Sequence, residues 1–266
     1  MQLASFTPRL LAIPLVLLCG QAFAQAKPAE IKLFVPAYFY PAGEGLKEWD
    51  KLIAAAKQVP IVAIANPASG PGERSDPHHV EVISRASKSG VRVIGYVSTQ
   101  YAKRSIEQVK ADVDLWRKLY PAVEGIFFDE QTSDASQLKY YREAFDYARR
   151  QIKDAFIASN PGVPCDAAYF AASNPDAISI FEHHQGYDQF MPPADLENAP
   201  RRRSAVLPYD TRDAQQMRER LRRAADLHLG YFYATDDNGA NPWDRLPTYW
   251  DDEVAAVQEW NRGPKK

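Results

Sequence analysis

Eight short apolar runs, separated by amphipathic segments, constrain the fold more than any other feature of the sequence. They are "IKLFVPAYF" (31–39), "PIVAIAN" (60–66), "VRVIGYVST" (91–99), "VEGIFFDE" (123–130), "AFIASN" (155–160), "AISIFE" (177–182), "SAVLPY" (204–209) and "LGYFYAT" (229–235). Most are β-branched or aromatic and nearly unbroken in hydrophobicity, the pattern of strands buried on both faces. The intervals carry helical spacing instead. "GLKEWDKLIAAAKQ" sets Trp49 with Leu52 and Ile53, and "SIEQVKADVDLWRKLYP" sets Ile106, Val109, Val113 and Trp116 on one face. "SDPHHVEVISRASKSG" opens with Ser75 or Asp76 as N-cap, has Pro77 in its first turn and stops at Gly90. "DASQLKYYREAFDYARRQIKD" and "DAQQMRERLRRAADLHLG" follow the same logic. This alternation predicts an α/β fold, a single-domain (β/α)8 TIM barrel. The competing architecture, an open doubly wound sheet, lacks the glycine-rich phosphate fingerprint after its first strand. Between Glu182 and Ser204 the chain is rich in proline and shows no clear helix.

Residues 1–24 stand apart from this pattern. "MQLASFTPRLLAIPLVLLCGQAFAQA" has one basic residue, Arg9, then an apolar run from Leu10 to Leu18, then Ala22-Phe23-Ala24. That order predicts a signal peptide cleaved after Ala24, with Ala26 as a second candidate, and a barrel over 25–266. The expected location is secreted or periplasmic, with no membrane association after cleavage. Cleavage removes Arg9 and no acid, so the formal net charge moves from -2 to -3. Such a balance offers no basic footprint for nucleic acid. Cleavage also removes Cys19 and leaves Cys165 alone, so packing rather than an intramolecular disulfide must hold the fold. Cys165 is expected to be a small buried residue, and the protein a monomer.

In a barrel of this kind, functional groups gather at the C-terminal ends of the strands. Those ends carry Tyr38 and Tyr40, Asn66, Tyr96, Thr99 and Tyr101, Asp129 and Glu130, and Asn160. The last three carry Glu182, then Tyr209 and Asp210, then Tyr233, Asp236 and Asp237. The rim is acidic and aromatic, which suits sugars: flat rings stack on C–H faces while carboxylates and amides bind hydroxyls. A buried strand rarely ends in paired acids, because each charge loses hydration unless something pairs with it. Glycoside hydrolysis needs two carboxyl groups flanking one bond, and burial or mutual repulsion keeps one of them protonated. The same acids also read as strand-end groups that pair with Arg or Lys or cap the next helix. Adjacent residues on a strand point oppositely, so one of Asp129 and Glu130 is structural unless the strand has already ended.

The motifs "VPAYFYP" (35–41), "IANPASGPG" (64–72), "VIGYVSTQYAKR" (93–104), "GIFFDE" (125–130), "NPG" (160–162) and "FE" (181–182) occur in that order. Together, over about residues 31–240, they resemble the spherulin 4, or spherulation-specific family 4, pattern. That family is similar to glycoside hydrolase family 135, whose known members cleave α-1,4-linked galactosamine or N-acetylgalactosamine polymers from microbial biofilms. The resemblance implies a (β/α)8 barrel that hydrolyses a polysaccharide from within, without cofactor. It also implies acids at Asp129, Glu130 and Glu182; we read Asp129 and Glu182 as the main acid and nucleophile-or-base pair, with Glu130 supporting or exchanging roles. Tyr38, Asn66, Tyr96, Tyr101, Asn160, Tyr233 and Asp236 are the candidate sugar contacts. Asp236 and Asp237 with the three acids would suit a partly deacetylated, cationic polymer. The alternatives are a carbohydrate-binding or coat protein that keeps the barrel without turnover, and a metal-dependent polysaccharide deacetylase.

Other signals are weaker. His78-His79 and His183-His184 lack metal-ligand spacing, so no metal site is expected. "RRR" (201–203) and "RERLRR" (218–223) are basic runs, and the latter, alternating with Glu219 on a helical face, reads as solvated surface. Trp243, Trp250 and Trp260 near the C-terminus read as packing groups, with a last helix laying Val254, Val257 and Trp260 on the barrel.

Overall fold

A computed structural model describes residues 29–171, 175–194, 196 and 200–263; the expected signal peptide lies outside them. Each of the eight apolar runs holds one strand. They are β1 (Lys32–Ala37), β2 (Ile61–Ala65), β3 (Arg92–Ser98), β4 (Gly125–Asp129), β5 (Phe156–Ser159), β6 (Ala177–His183), β7 (Ser204–Pro208) and β8 (Tyr231–Phe232). All neighbours pair in parallel, and β8 returns to β1 to close the barrel.

Helices α1 (Glu44–Ala55), α2 (Pro77–Lys88), α3 (Ile106–Leu119), α4 (Leu138–Gln151), α5 (Ala214–Asp226) and α6 (Trp250–Arg262) pack outside. Their starts follow from local chemistry. Ser105 and Gln108 form a reciprocal capping box on α3, and Asp76 and Asp213 accept from His79 N and Gln216 N to cap α2 and α5. The buried stripe Val109, Val113 and Trp116 turns α3 onto the sheet, where Trp116 Nε1 donates to Tyr96 O at 2.7 Å. Gly95 on β3 makes room for that indole: a Cβ there would lie 2.4 Å from Trp116 Cδ2.

The helical layer is interrupted on one side. Among the described residues, β5–β6 and β6–β7 are joined only by 3₁₀ turns at Ala167–Phe170, Tyr187–Gln189 and Pro200–Arg203. Several carbonyls in these connections accept from arginine side chains. Arg203 donates to Phe170 O and, at 3.2 Å, to Pro175 O; Arg223 donates to Tyr187 O at 3.1 Å and Phe190 O at 2.5 Å. Arg220 is buried, with Thr211 Oγ1 at 2.5 Å. The expectation that the run 218–223 is solvated surface is therefore corrected: Arg220 is buried, and Arg223, like Arg203, braces irregular backbone. Cys165 is buried, as expected.

Within the barrel, Phe34, Phe127, Phe156 and Tyr231 meet in a chain of ring contacts from 5.7 to 6.0 Å. Residues two apart on a strand share a face, so Pro36, Tyr38, Asp129 and Asn160 stand directly above this plug. It forms the floor of the site.

Candidate active site

Asp129 closes β4, and Glu130 follows with φ 57°, in the left-handed region. The strand therefore ends between the two acids and they part company. Asp129 faces a cleft of about 660 Å³ at the C-terminal mouth of the barrel, whose lining includes Tyr38, Asn66, Tyr96, Asn160 and Glu182. Glu182 arrives on β6, where an irregularity between Ser179 and Phe181 sets it opposite Leu207, another lining residue. Bulges of this kind re-aim side chains beside functional sites.

One amide holds the two acids together. Asn160 Nδ2 donates to Asp129 Oδ1 at 2.8 Å and to Glu182 Oε2 at 2.5 Å, and the residue is buried. The Tyr96 hydroxyl also donates to Asp129, and the Trp243 indole N–H to Glu182. Burial, reinforced by the charge of Asp129, pushes the Glu182 carboxyl up to about 7. Burial raises Asp129 as well, opposed by hydrogen bonds from Tyr96, the Glu130 backbone and Asn160. Burial and the nearby Asp129 charge keep the Tyr38 and Tyr96 hydroxyls protonated. The arrangement provides one carboxyl protonated near neutrality, a second stabilised by donors, and phenol groups beside both.

Of the other residues expected from sequence, Asn66 lines the cleft and closes its own loop, accepting from Gly70 N at 2.8 Å. Tyr101 stands exposed at the rim, its hydroxyl within the field of Glu130, Asp129 and Glu182. Glu130 does not line the cleft. Its Oε2 accepts from Ser98 Oγ and from Gln100 N at 3.2 Å, and it faces an adjoining chamber. Two expectations are corrected. Tyr233 is fully buried beneath Trp243, ring centroids 6.0 Å apart, so it offers no surface to a sugar. Asp236 binds Arg245 at 2.8 Å and Thr248 Oγ1 at 2.5 Å, fixing the loop after β8 instead of facing the cleft. Asp237 also meets Arg245, at 3.3 Å, so neither acid adds a free charge for a cationic polymer.

Tyr209 and Trp243 also line the cleft, outside the sugar contacts expected from sequence. Trp243, read there as packing, is pinned by Tyr38 N donating to its carbonyl at 3.2 Å, and its ring meets Tyr209 edge-on at 5.8 Å. Tyr209 ends its apolar run and was visible as a rim aromatic. Trp243 comes from a loop beyond the last strand, where the strand-end rule does not reach. Among the described residues, no group of three or more His, Cys, Asp or Glu side chains is placed to hold a metal ion.

A family model for spherulation-specific family 4 matches residues 32–257. Spherulin-4 of Physarum polycephalum is 30% identical over 244 residues, spanning 87% of this chain and 71% of its own length. Among solved structures, Aspergillus clavatus Sph3 in complex with GalNAc superposes with a TM-score of 0.74 at 25% identity, over 87% of this chain and 98% of that one. A Thermomonospora fusca β-mannanase bound to mannohexaose shares the fold alone, with a TM-score of 0.52 at 13% identity over 90% of this chain and 92% of its own. A carbohydrate-active TIM barrel is thus the common ground of sequence, fold and site, and the chain belongs to spherulation-specific family 4.

Proposed function

We propose that the protein is an exported, retaining glycoside hydrolase that cleaves α-1,4-linked galactosamine- or N-acetylgalactosamine-containing polysaccharide. The observation that carries this reading is the bridge at Asn160. Two carboxyl oxygens bound to the same nitrogen at 2.8 and 2.5 Å cannot be further apart than those lengths together. Oxygens held this close support the roughly 5–5.5 Å separation of retaining enzymes over the roughly 6.5–9.5 Å that leaves room for an inverting water. The sugar class rests on the family and on the likeness to Sph3, which binds GalNAc.

In this mechanism Glu182, protonated near neutrality, gives its proton to the glycosidic oxygen while Asp129 attacks the anomeric carbon. The leaving chain departs as an alcohol and the sugar remains on Asp129 as an ester. Glu182, now ionised, takes a proton from water; the water oxygen attacks the same carbon and releases Asp129. Tyr96 and Asn160 hold Asp129 for attack, and the Trp243 indole steadies Glu182 as it ionises.

The test is reducing-end release from α-1,4-linked galactosamine and N-acetylgalactosamine polymers with EDTA present. Wild type is expected to release ends, and Asp129→Asn and Glu182→Gln to lose at least about a hundredfold in rate. Proton NMR is expected to show the α-anomer as first product. First appearance of the β-anomer defeats the retaining mechanism. Tight binding without release moves the protein to the carbohydrate-binding class.

A further inference from the structure

Behind Tyr96 the cleft continues into a second chamber of about 550 Å³, and the two share Ala68, Ser69 and Tyr96 as a common wall. Its size falls within the roughly 300–1,000 Å³ of ordinary ligand sites. Ser98, Gln100, Arg104 and Glu130 line it from the β3 and β4 ends, and the loop through Gly72 and Glu73 closes the other side. The guanidinium of Arg104 is already engaged, with Asp112 and Ser98 O each at 2.7 Å. Glu130 is differently placed. Among the described residues the hydrogen bonds to its carboxyl, from Ser98 and Gln100, both fall on Oε2, which leaves Oε1 for a ligand.

The backbone around this chamber is unusual. Glu130 and three successive residues, Gln100, Tyr101 and Ala102, all have left-handed φ, between 48° and 62°. None is glycine, and each such conformation costs roughly 1–2 kcal/mol. The surroundings impose it: the Glu130 carbonyl accepts from Tyr101 N and Thr99 Oγ1, both at 2.8 Å, and from Tyr141 Oη at 3.2 Å. Strain held this firmly concentrates at ligand-binding positions. Here it turns Glu130 out of line with Asp129 and into the second chamber.

We infer that this chamber is the subsite for the sugar unit next to the point of cleavage, and that Glu130 grips that unit by accepting its hydroxyl or amino protons. The inference rests on the glycosidase reading for the identity of the ligand, and it gives Glu130 a binding role outside the bond-breaking step. A polymer lying across both spaces passes over Ala68, an exposed residue on the shared wall.

The experiment separates the two readings by measuring binding apart from turnover. In a Glu182→Gln background, α-1,4-linked galactosamine oligosaccharides from disaccharide to hexasaccharide are titrated calorimetrically, alone and with Glu130→Gln or Ala68→Trp added. Lengthening the chain is expected to tighten binding about tenfold without the added change, and to bring less than about twofold with either one. An undiminished gain in both variants, or no binding at any length, overturns the inference. If the gain appears and is lost as expected while the unmutated protein cleaves none of these oligosaccharides, the subsite stands and the glycosidase reading falls. Full binding by Glu130→Gln with turnover abolished in an otherwise wild-type chain overturns the inference by returning Glu130 to the chemical step.

Discussion

Burial holds the Glu182 carboxyl protonated at a pH where water would ionise it, and the fold bears a cost for that. Its carboxyl rises from 4.5 to about 7, through burial first and the charge of Asp129 second. A group whose folded pKa is raised holds its proton more tightly folded than unfolded. Its contribution to stability is therefore complete below about 4.5 and is lost as pH climbs through about 7. At roughly 1.4 kcal/mol per unit, discounted because Glu182 is partly open to the cleft, the loss is roughly 2–3 kcal/mol. Glu182→Gln has no proton to lose. It is expected to melt about 5 °C above wild type at pH 8 and level with it at pH 4, while losing turnover. Wild-type kcat/KM is expected to fall as pH rises through about 7, since the acid form is consumed. Melting curves at both pH values check the first claim. Parallel pH dependence in the two proteins would show that Glu182 does not titrate in this range.

At the scale of elements, the connections after β5 and β6, which hold no α-helix among the described residues, shift work onto single arginines. Arg203 reaches two carbonyls in the β5–β6 connection, Phe170 O and Pro175 O, with the two ends of one planar fork. Arg203→Ala leaves both without that donor and is expected to cost about 1–3 kcal/mol in urea unfolding. Arg203→Lys is not expected to rescue it, because a single ammonium lacks the fork geometry. Hydrogen exchange should localise the loss to amides near Tyr169 and Ile157; a uniform loss across the barrel would refute the bracing role. The strands were legible because burial on both faces forces continuous apolar runs, and the helices because capping residues and apolar stripes are local. The arginine braces were not, since a carbonyl without a helical partner leaves no mark on its own side chain. The same split divides the site. Asp129, Glu182 and Asn160 sit at strand ends and announce themselves there. Trp243 depends on the course of a loop, Tyr233 lies one layer beneath the surface, and the left-handed turn at Glu130 has no glycine to signal it.

A closed barrel removes exposed sheet edges only if its last strand holds its first, and here that seam is thin. β8 has two residues, paired as Lys32 with Tyr231 and Leu33 with Phe232. The final helix reinforces it from outside. Asn261 on α6 accepts from Ile31 N and donates to Ile31 O, both at 2.8 Å, and Trp260 Nε1 donates to Ala29 O at 3.0 Å. Farther up the same helix, the buried Glu253 accepts from Ala234 N at 2.8 Å, just beyond β8. One helix thus holds both sides of the seam, and the two ends of the described chain meet there. The apolar stripe of α6 foretells its packing, but the paired bonds of Asn261 belong to closure and have no local signature. Asn261→Ala removes both bonds to Ile31 and is expected to lower stability by about 2 kcal/mol, moving the urea midpoint without changing its slope. Asn261→Asp keeps an acceptor for Ile31 N and loses the donor, so its midpoint is expected to fall between the two. A second transition in Asn261→Ala would mean that the seam opens on its own, and that the barrel does not unfold as one cooperative unit.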